Sequence, residues 1–376
     1  MTIFNPFITN GYLSPHYFCD RIEETKMLTD IVFNGNNAAI ISPRRLGKTG
    51  LIQHCFQQDV IKENYYTFMV DIYATKNLQE LVYDLGKAVL STLKSKGRKS
   101  WEQYLNILGS LRSSISFDIN GNPEWGLGVG DVKMPQTTLD EIFAYLEQAD
   151  RPCIVAIDEF QVITDYPEKN VEAILRTRIQ KCKNTYFVYA GSQRYMMSEI
   201  FISPSRPFYQ STRLMTIEPI LIDHYVAFAQ SLFAEHQKAI TKEAVEAAYH
   251  RYKGVTWYVQ SVLNVLFTMT DSQGTCGEEM VEPAVQQILA QQGFAYKALL
   301  YQLPPKQKEV LVAICREGEA SNLTSRTFLQ RYGFTASMVQ AALKGLLDKD
   351  FITFDQGIYE VYDKFMAEWL RRQFSS

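Results

Sequence analysis

The apolar stretch Asn37 to Ile41 runs straight into Ser42-Pro43-Arg44-Arg45-Leu46-Gly47-Lys48-Thr49, and the residues beyond, Leu51 to Val60, carry helical periodicity. A short strand that empties into a Gly-Lys-Thr turn at the start of a helix constrains this chain more than any other feature. The turn must present several backbone N–H groups to one concave point, with the positive end of a helix dipole behind them, and such a nest suits phosphate. It also commits the strand to a parallel sheet, because a strand followed by a helix returns to the sheet by a crossover. The full pattern is G-x-x-x-x-G-K-[ST], and Ser42 takes its first glycine position. Serine is expected there to bear a left-handed backbone at more cost than glycine. Gly47 allows close approach, Lys48 reaches the β- and γ-phosphates, and the Thr49 hydroxyl ligates Mg2+. The nucleotide-binding set read from the loop is Ser42, Pro43, Arg44, Arg45, Leu46, Gly47, Lys48, Thr49 and Gly50. Of Arg44 and Arg45, one is expected on phosphate and the other in solvent.

A second run, Cys153-Ile154-Val155-Ala156-Ile157, is continuously apolar and ends abruptly in Asp158-Glu159. Two acids at the end of a buried strand are costly unless they have a partner or a task. Beside a phosphate loop, Asp158 is placed to hold Mg2+ and Glu159 to deprotonate the attacking water. A helix-capping Asp-Glu is the plainer alternative. Gly191-Ser192-Gln193-Arg194 follows the apolar run Thr185 to Ala190, and Ser192 or Gln193 is placed to sense the γ-phosphate. Arg206 and Arg213 fall in the segment Ser203 to Met215, read as a loop, where either could neutralise transition-state charge. The catalytic set is therefore Glu159, Lys48, Ser192 and Arg213, with Thr49 and Asp158 on the metal.

Strands at 37–41, 65–73, 152–157 and 185–190 alternate with helices at 21–32, 51–60, 78–96, 138–148 and 171–181. That cadence predicts an α/β fold with a doubly wound parallel sheet. Alternating residues around Asn120-Gly121-Asn122-Pro123, with strands at 113–119 and 125–132, predict a β-hairpin inserted at about 97–137. The core is expected to span residues 1–222, a helical lid 223–294 and a winged helix 295–376. The last is read from three helices, a hairpin around Asp355-Gln356-Gly357 and a closing helix from Lys364 to Gln373.

Composition limits the alternatives. The chain is 46% hydrophobic and 21% charged, which is globular, and its net charge of −3 argues against a whole-chain grip on nucleic acid. The six cysteines are scattered singly, so neither a zinc site nor a disulfide framework is expected. No basic n-region precedes an apolar h-region, and no run approaches the roughly 20 residues that span a bilayer. A cytoplasmic protein without a membrane partner is expected.

Four segments carry a resemblance. Phe18-Cys19-Asp20-Arg21-Ile22-Glu23-Glu24 is similar to an F-x-x-R-x-x-E entry motif, and Pro43 to Thr49 to a P-R-R-x-G-K-T loop. Ile157-Asp158-Glu159-Phe160-Gln161 resembles an acidic strand end, and Ala190-Gly191-Ser192 a sensor strand. Together they resemble the AAA+-related P-loop ATPase family typified by archaeal ATPases, abundant in Bacteroidetes and a relative of the STAND NTPases. The resemblance spans about residues 4–270 and, more loosely, the wing and closing helix from Tyr359 to Phe365. It implies that the entry motif packs near adenine. Trp257, in Gly254-Val255-Thr256-Trp257-Tyr258, stands where relatives carry proline.

These readings point to an ATP- and Mg2+-dependent switch that hydrolyses slowly. The alternative is a nucleotide-gated DNA- or protein-binding adaptor with negligible hydrolysis; a nucleotide kinase would not need a winged helix. From Ala295 onward eleven lysines and arginines face nine acids, a weak electrostatic footprint for DNA. Ser337, Gln340 and Lys344 are the polar positions of the candidate recognition helix. A protein partner or DNA through the winged helix, and a homo-oligomer, are the partner expectations.

Overall fold

A computed structural model describes residues 5–110, 116–118, 121, 123, 124 and 128–374. The backbone groups into two compact units, residues 11–218 and residues 5–10 with 219–374. The boundary expected at 222/223 falls four residues inside the second unit, and residues 5–10, expected with the core, belong to the second unit as well.

In the first unit α1 (Ile22–Phe33) leads into β1 (Ala38–Ile41), which the phosphate loop joins to α2 (Lys48–Gln57). The next helix, α3 (Asp59–Asn64), is separate, because Gln58 adopts an extended ψ of 133° and interrupts the helix read over 51–60. β2 (Tyr66–Asp71) and α4 (Leu78–Lys96) follow. Asn77 caps α4 by accepting the Glu80 N–H, and its buried stripe includes Leu78, Leu81, Leu85, Val89 and Leu93. Each such side chain contributes about 1.5–3 kcal/mol of transfer free energy.

The segment expected to be a long hairpin is built differently. α5 (Arg98–Ile107) occupies its first part and buries Trp101, Tyr104 and Leu105. Only a two-residue ladder, β3 (Ser116–Phe117) with β4 (Pro123–Glu124), forms a hairpin. The strand expected through 125–132 ends in a short 3-10 turn, Val129–Asp131. Residues 113–115, 119, 120, 122 and 125–127 of that reading lie outside the described residues.

The unit is completed by α6 (Pro135–Gln148), β5 (Cys153–Asp158), α7 (Val171–Ile179), β6 (Thr185–Gly191), α8 (Arg194–Ile202) and β7 (Arg213–Met215). Five strands form one parallel sheet in the order β2-β5-β6-β1-β7, so the fold class is the expected α/β one. β5 is buried at all six positions, as a central parallel strand should be. β7 is a correction: Arg213 to Met215 is an edge strand on β1, not loop.

The second unit comprises α9 (Ile222–Glu235), β8 (Ala239–Ile240), α10 (Lys242–Arg251), α11 (Thr256–Met269), β9 (Thr275–Cys276) and α12 (Val281–Tyr301). Then come α13 (Pro305–Glu317), α14 (Arg326–Tyr332), α15 (Ala336–Leu347), the hairpin β10 (Ile352–Asp355) and β11 (Ile358–Val361), and α16 (Lys364–Gln373). The first six elements are helical apart from the two-residue parallel pair β8–β9, and the rest form a winged helix. The 294/295 boundary falls inside α12, which runs unbroken to Tyr301. Phe7 is fully buried among Phe228, Phe233 and Phe267, and the Trp257 indole donates to the Thr9 carbonyl at 3.0 Å. Trp257 thus helps tie residues 5–10 to α11.

Candidate functional site

The strand order decides what can meet. β6 lies between β1 and β5, so Gly191-Ser192 emerges between the phosphate loop and the acidic strand end. All three segments leave the carboxyl ends of parallel strands, the edge of an α/β sheet where ligands bind.

In the loop, positive φ falls at Arg45 (69°) and Gly47 (97°), and Ser42 is not among the residues with positive φ. The cost expected at Ser42 is therefore absent. Ser42 is instead fully buried, and its hydroxyl donates to the Ile217 carbonyl at 3.2 Å, a contact glycine could not make. A Cβ at Gly47 would meet nothing within 4 Å, so it is the positive φ and not crowding that calls for glycine there. Lys48 is 5% exposed, and its ammonium donates to the carbonyls of Ser42 (2.9 Å) and Pro43 (3.1 Å). Burial lowers its pKa, against the pull of Glu159 and Asp158 that favours the charged form.

The Thr49 hydroxyl donates to Asp158 Oδ2 at 2.5 Å. Asp158 is 4% exposed and burial raises its pKa, opposed by that hydrogen bond and by Lys48. A buried, desolvated carboxylate beside a hydroxyl is an oxygen donor set that suits Mg2+, and a cation there would relieve the burial cost.

Glu159 sits in the left-handed region, φ 54° and ψ 41°, which costs a residue with a side chain about 1 kcal/mol or more and is typical of functional sites. Its Oε2 accepts from the Ser192 hydroxyl and from Gln161 Nε2, each at 2.6 Å. Arg44 Nε in turn donates to Ser192 Oγ at 3.0 Å, and its guanidinium lies 5.3 Å from the Tyr73 ring centre. The structure thus brings together Arg44, Lys48, Thr49, Asp158, Glu159 and Ser192. Gln193, the other sensor candidate, is exposed at the start of α8.

The two expected arginines lie elsewhere. Arg206 forms a two-pronged pair with Glu172 on α7, Nη2 to Oε1 at 2.5 Å and Nε to Oε2 at 3.1 Å. Arg213 opens β7, pairs with Ala38 and is exposed, at the end of the sheet away from the loop. A three-residue strand has no sequence signal of its own, so the position of Arg213 in the chain does not reveal which end of the sheet it occupies. Within its own chain Arg213 does not reach the site.

Sequence reasoning missed two contributors. Arg194 opens α8 and is one of the cations whose field acts on Lys48, after Arg44. Arg21, quoted only as part of the entry motif, is 3% exposed. Its guanidinium donates to the Leu46 carbonyl in the loop (3.0 Å), to the Glu218 carbonyl (2.7 Å) and to Glu24 (2.6 Å). Near it, Phe18 stacks on His54 at 4.4 Å and would touch a Cβ at Gly50 at 3.2 Å.

The comparisons agree with this architecture. Residues 294–372 match the family described as a probable winged helix domain. The chain superposes on the Walker-type ATPase Paby2304 of Pyrococcus abyssi with a TM-score of 0.66 at 16% identity, over 97% of this chain and 99% of that one. The ORC2 protein of Aeropyrum pernix, solved in ADPNP-ADP complexes, gives 0.59 at 13% identity over 99% and 98%. The ORC1 protein of the same organism, solved in complex with DNA, gives 0.53 at 13% over 95% and 94%. No curated protein matches the sequence. The fold is that of a P-loop ATPase carrying a C-terminal winged helix. Among the described residues, no helix is long and apolar enough to cross a membrane.

Proposed function

We propose that the chain is an ATP-binding P-loop ATPase that works as a nucleotide-dependent switch with slow, Mg2+-dependent hydrolysis. The observation that carries this reading is the 2.5 Å contact of Thr49 with Asp158, with buried Lys48 in the same loop and Glu159 one residue away. Thr49 and Asp158 would hold Mg2+, which supplies charge neutralisation at the phosphates. Lys48 and the loop N–H groups bind and orient the β- and γ-phosphates. Glu159 takes the proton of the attacking water, and Ser192 fixes the Glu159 carboxylate. Slow turnover is favoured because Arg44 is engaged on Ser192 and must be re-aimed when substrate arrives.

The second reading, a nucleotide-gated DNA- or protein-binding adaptor with negligible hydrolysis, draws on the positions of Arg206 and Arg213. Neither supplies charge to the site of its own chain; a homo-oligomer is the arrangement in which exposed Arg213 could serve a neighbouring copy. On the winged helix Ser337, Gln340 and Lys344 are exposed on α15, but eleven basic against nine acidic residues favours a protein over DNA as the partner. Six free cysteines suit a reducing, cytoplasmic setting.

Titration calorimetry with ATP, with and without Mg2+, on the wild type and Lys48→Ala tests the proposal. Binding that needs Lys48 and is tightened by Mg2+ is the expected result. Equal affinity in both proteins would remove the basis for the reading.

A further inference from the structure

Gln161 is a buried amide with an unusual division of labour. It is 2% exposed, its Nε2 donates to Glu159 Oε2 at 2.6 Å, and its Oε1 is buried without a hydrogen-bond partner. The amide cannot be turned round, because its oxygen would then face a carboxylate oxygen. A glutamine kept only for packing would be expected to satisfy both ends, since buried polar groups almost always do. This one gives its donor to the carboxylate and leaves its acceptor unmatched, an arrangement that costs stability.

The neighbouring backbone makes room for it. A Cβ at Gly191 would come within 2.5 Å of Gln161 Oε1 and 2.3 Å of Met197 Sδ, so no larger residue fits there while the amide stays in place. Ser192, the next residue, donates to the same Glu159 oxygen. Two donors from two different elements therefore converge on one oxygen of a glutamate whose backbone is itself left-handed. Two donors on one carboxylate oxygen set the plane of the group and the direction of the other oxygen.

We infer that Gln161 is a positioning residue for the water-activating Glu159, seated in a slot that exists because residue 191 is glycine. This rests on the ATPase reading of the site. Gln161 touches neither substrate nor metal; it acts by aiming Glu159, and the site keeps an unmatched buried oxygen in return.

The test compares the wild type, Gln161→Met, Glu159→Gln and the double variant in the full chain, reading kcat and KM for Mg-ATP beside thermal unfolding. Methionine keeps the volume and removes both amide ends, so the fold is held or stabilised. The expected result is a kcat about 10–100-fold lower, the loss typical of an outer-shell partner. KM should stay within about 2-fold, as for an interaction made only in the transition state. In the Glu159→Gln background, Gln161→Met should lower the residual rate no further. An unchanged kcat overturns the inference, and so does an equal loss in both backgrounds, which marks a packing role. Gln161→Asn, which withdraws the amide by one methylene but keeps the slot polar, is expected to lower kcat in the same way and serves if the methionine variant is unstable. A wild type no faster than Glu159→Gln would sink the ATPase reading itself, and this inference with it. That failure is visible before any Gln161 variant is assayed.

Discussion

Thr49 at the start of α2 and Asp158 at the end of β5 are joined by a 2.5 Å hydrogen bond, although a whole strand, β6, separates β1 from β5. The bond closes the phosphate loop onto the acidic strand end. Burial raises the Asp158 pKa above its ordinary 3.8, so without a cation this carboxylate weakens the fold at neutral pH. Its sign follows: the folded state binds the proton more readily, and stability from this group grows as pH falls through the raised value towards 3.8. Asp158→Asn is therefore expected to stabilise the nucleotide-free protein, by on the order of 1 kcal/mol. It should weaken Mg-ATP binding at least about 10-fold. Calorimetric unfolding with a nucleotide titration checks both; a destabilised variant that binds normally would contradict the assignment.

Arg21 supports the loop from behind through the Leu46 and Glu218 carbonyls. Arg21→Met leaves those acceptors and Glu24 without their partner inside the fold, at a cost of about 3 kcal/mol. It should also lower ATP affinity, since the loop loses a fixed point. Denaturant unfolding and ATP titration of the variant give the two numbers. Intact affinity would mean that the loop holds its shape unaided.

His54 is half-buried, stacked on Phe18 and hydrogen-bonded at Nδ1 to the Tyr12 hydroxyl at 3.0 Å. Burial holds its pKa below the ordinary 6.5, so its contribution is present above 6.5 and is lost as pH falls through the lowered value. The thermal midpoint of the wild type should drop over that window, and His54→Gln should flatten the drop. An equally steep profile in the variant would assign the pH dependence to other groups.

In the second unit Glu368 on α16 is the hub between α10 and the winged helix. It accepts from Arg251, from Tyr252 (2.9 Å) and from Arg372 (2.7 Å). Burial alone would raise its pKa, but the hydrogen bonds from Arg251 and Arg372 outweigh that and hold it below 4.5. Its stabilisation is thus present above pH 4.5 and lost as pH falls through the depressed value. Glu368→Gln should cost about 1–3 kcal/mol in urea unfolding at neutral pH. The gap between the two proteins should narrow towards acid; a constant gap would assign the cost to packing.

The sheet and most helices were legible because they rest on local signals, such as the continuous apolar runs of β5 and β6. Where local signals were read at the wrong period the reading failed. Trp101, Tyr104 and Leu105 in α5 keep helical spacing inside the segment expected to be a hairpin, and Met197, Ile200 and Phe201 keep it in α8, a helix outside the sequence expectations. β7 is three residues long, exposed at two of them, and gains its identity only by pairing with β1. That pairing also decides where Arg213 lies. The phosphate loop, Asp158 and Glu159 were readable as a motif, whereas the roles of Arg21, Ser42 and Gln161 depend on contacts set by the tertiary fold. Ser42 shows the difference most clearly: its pattern position suggested strain, and its backbone has none.

The central claim is that Glu159 activates water for hydrolysis of an ATP held by Lys48, Thr49 and Asp158. Phosphate release from Mg-ATP by the wild type and Glu159→Gln, with ATP binding measured on the same samples, tests it most directly. Slow release by the wild type, with only a small residual rate from a variant that still binds ATP, is the predicted result. Release by Glu159→Gln at the wild-type rate would contradict it.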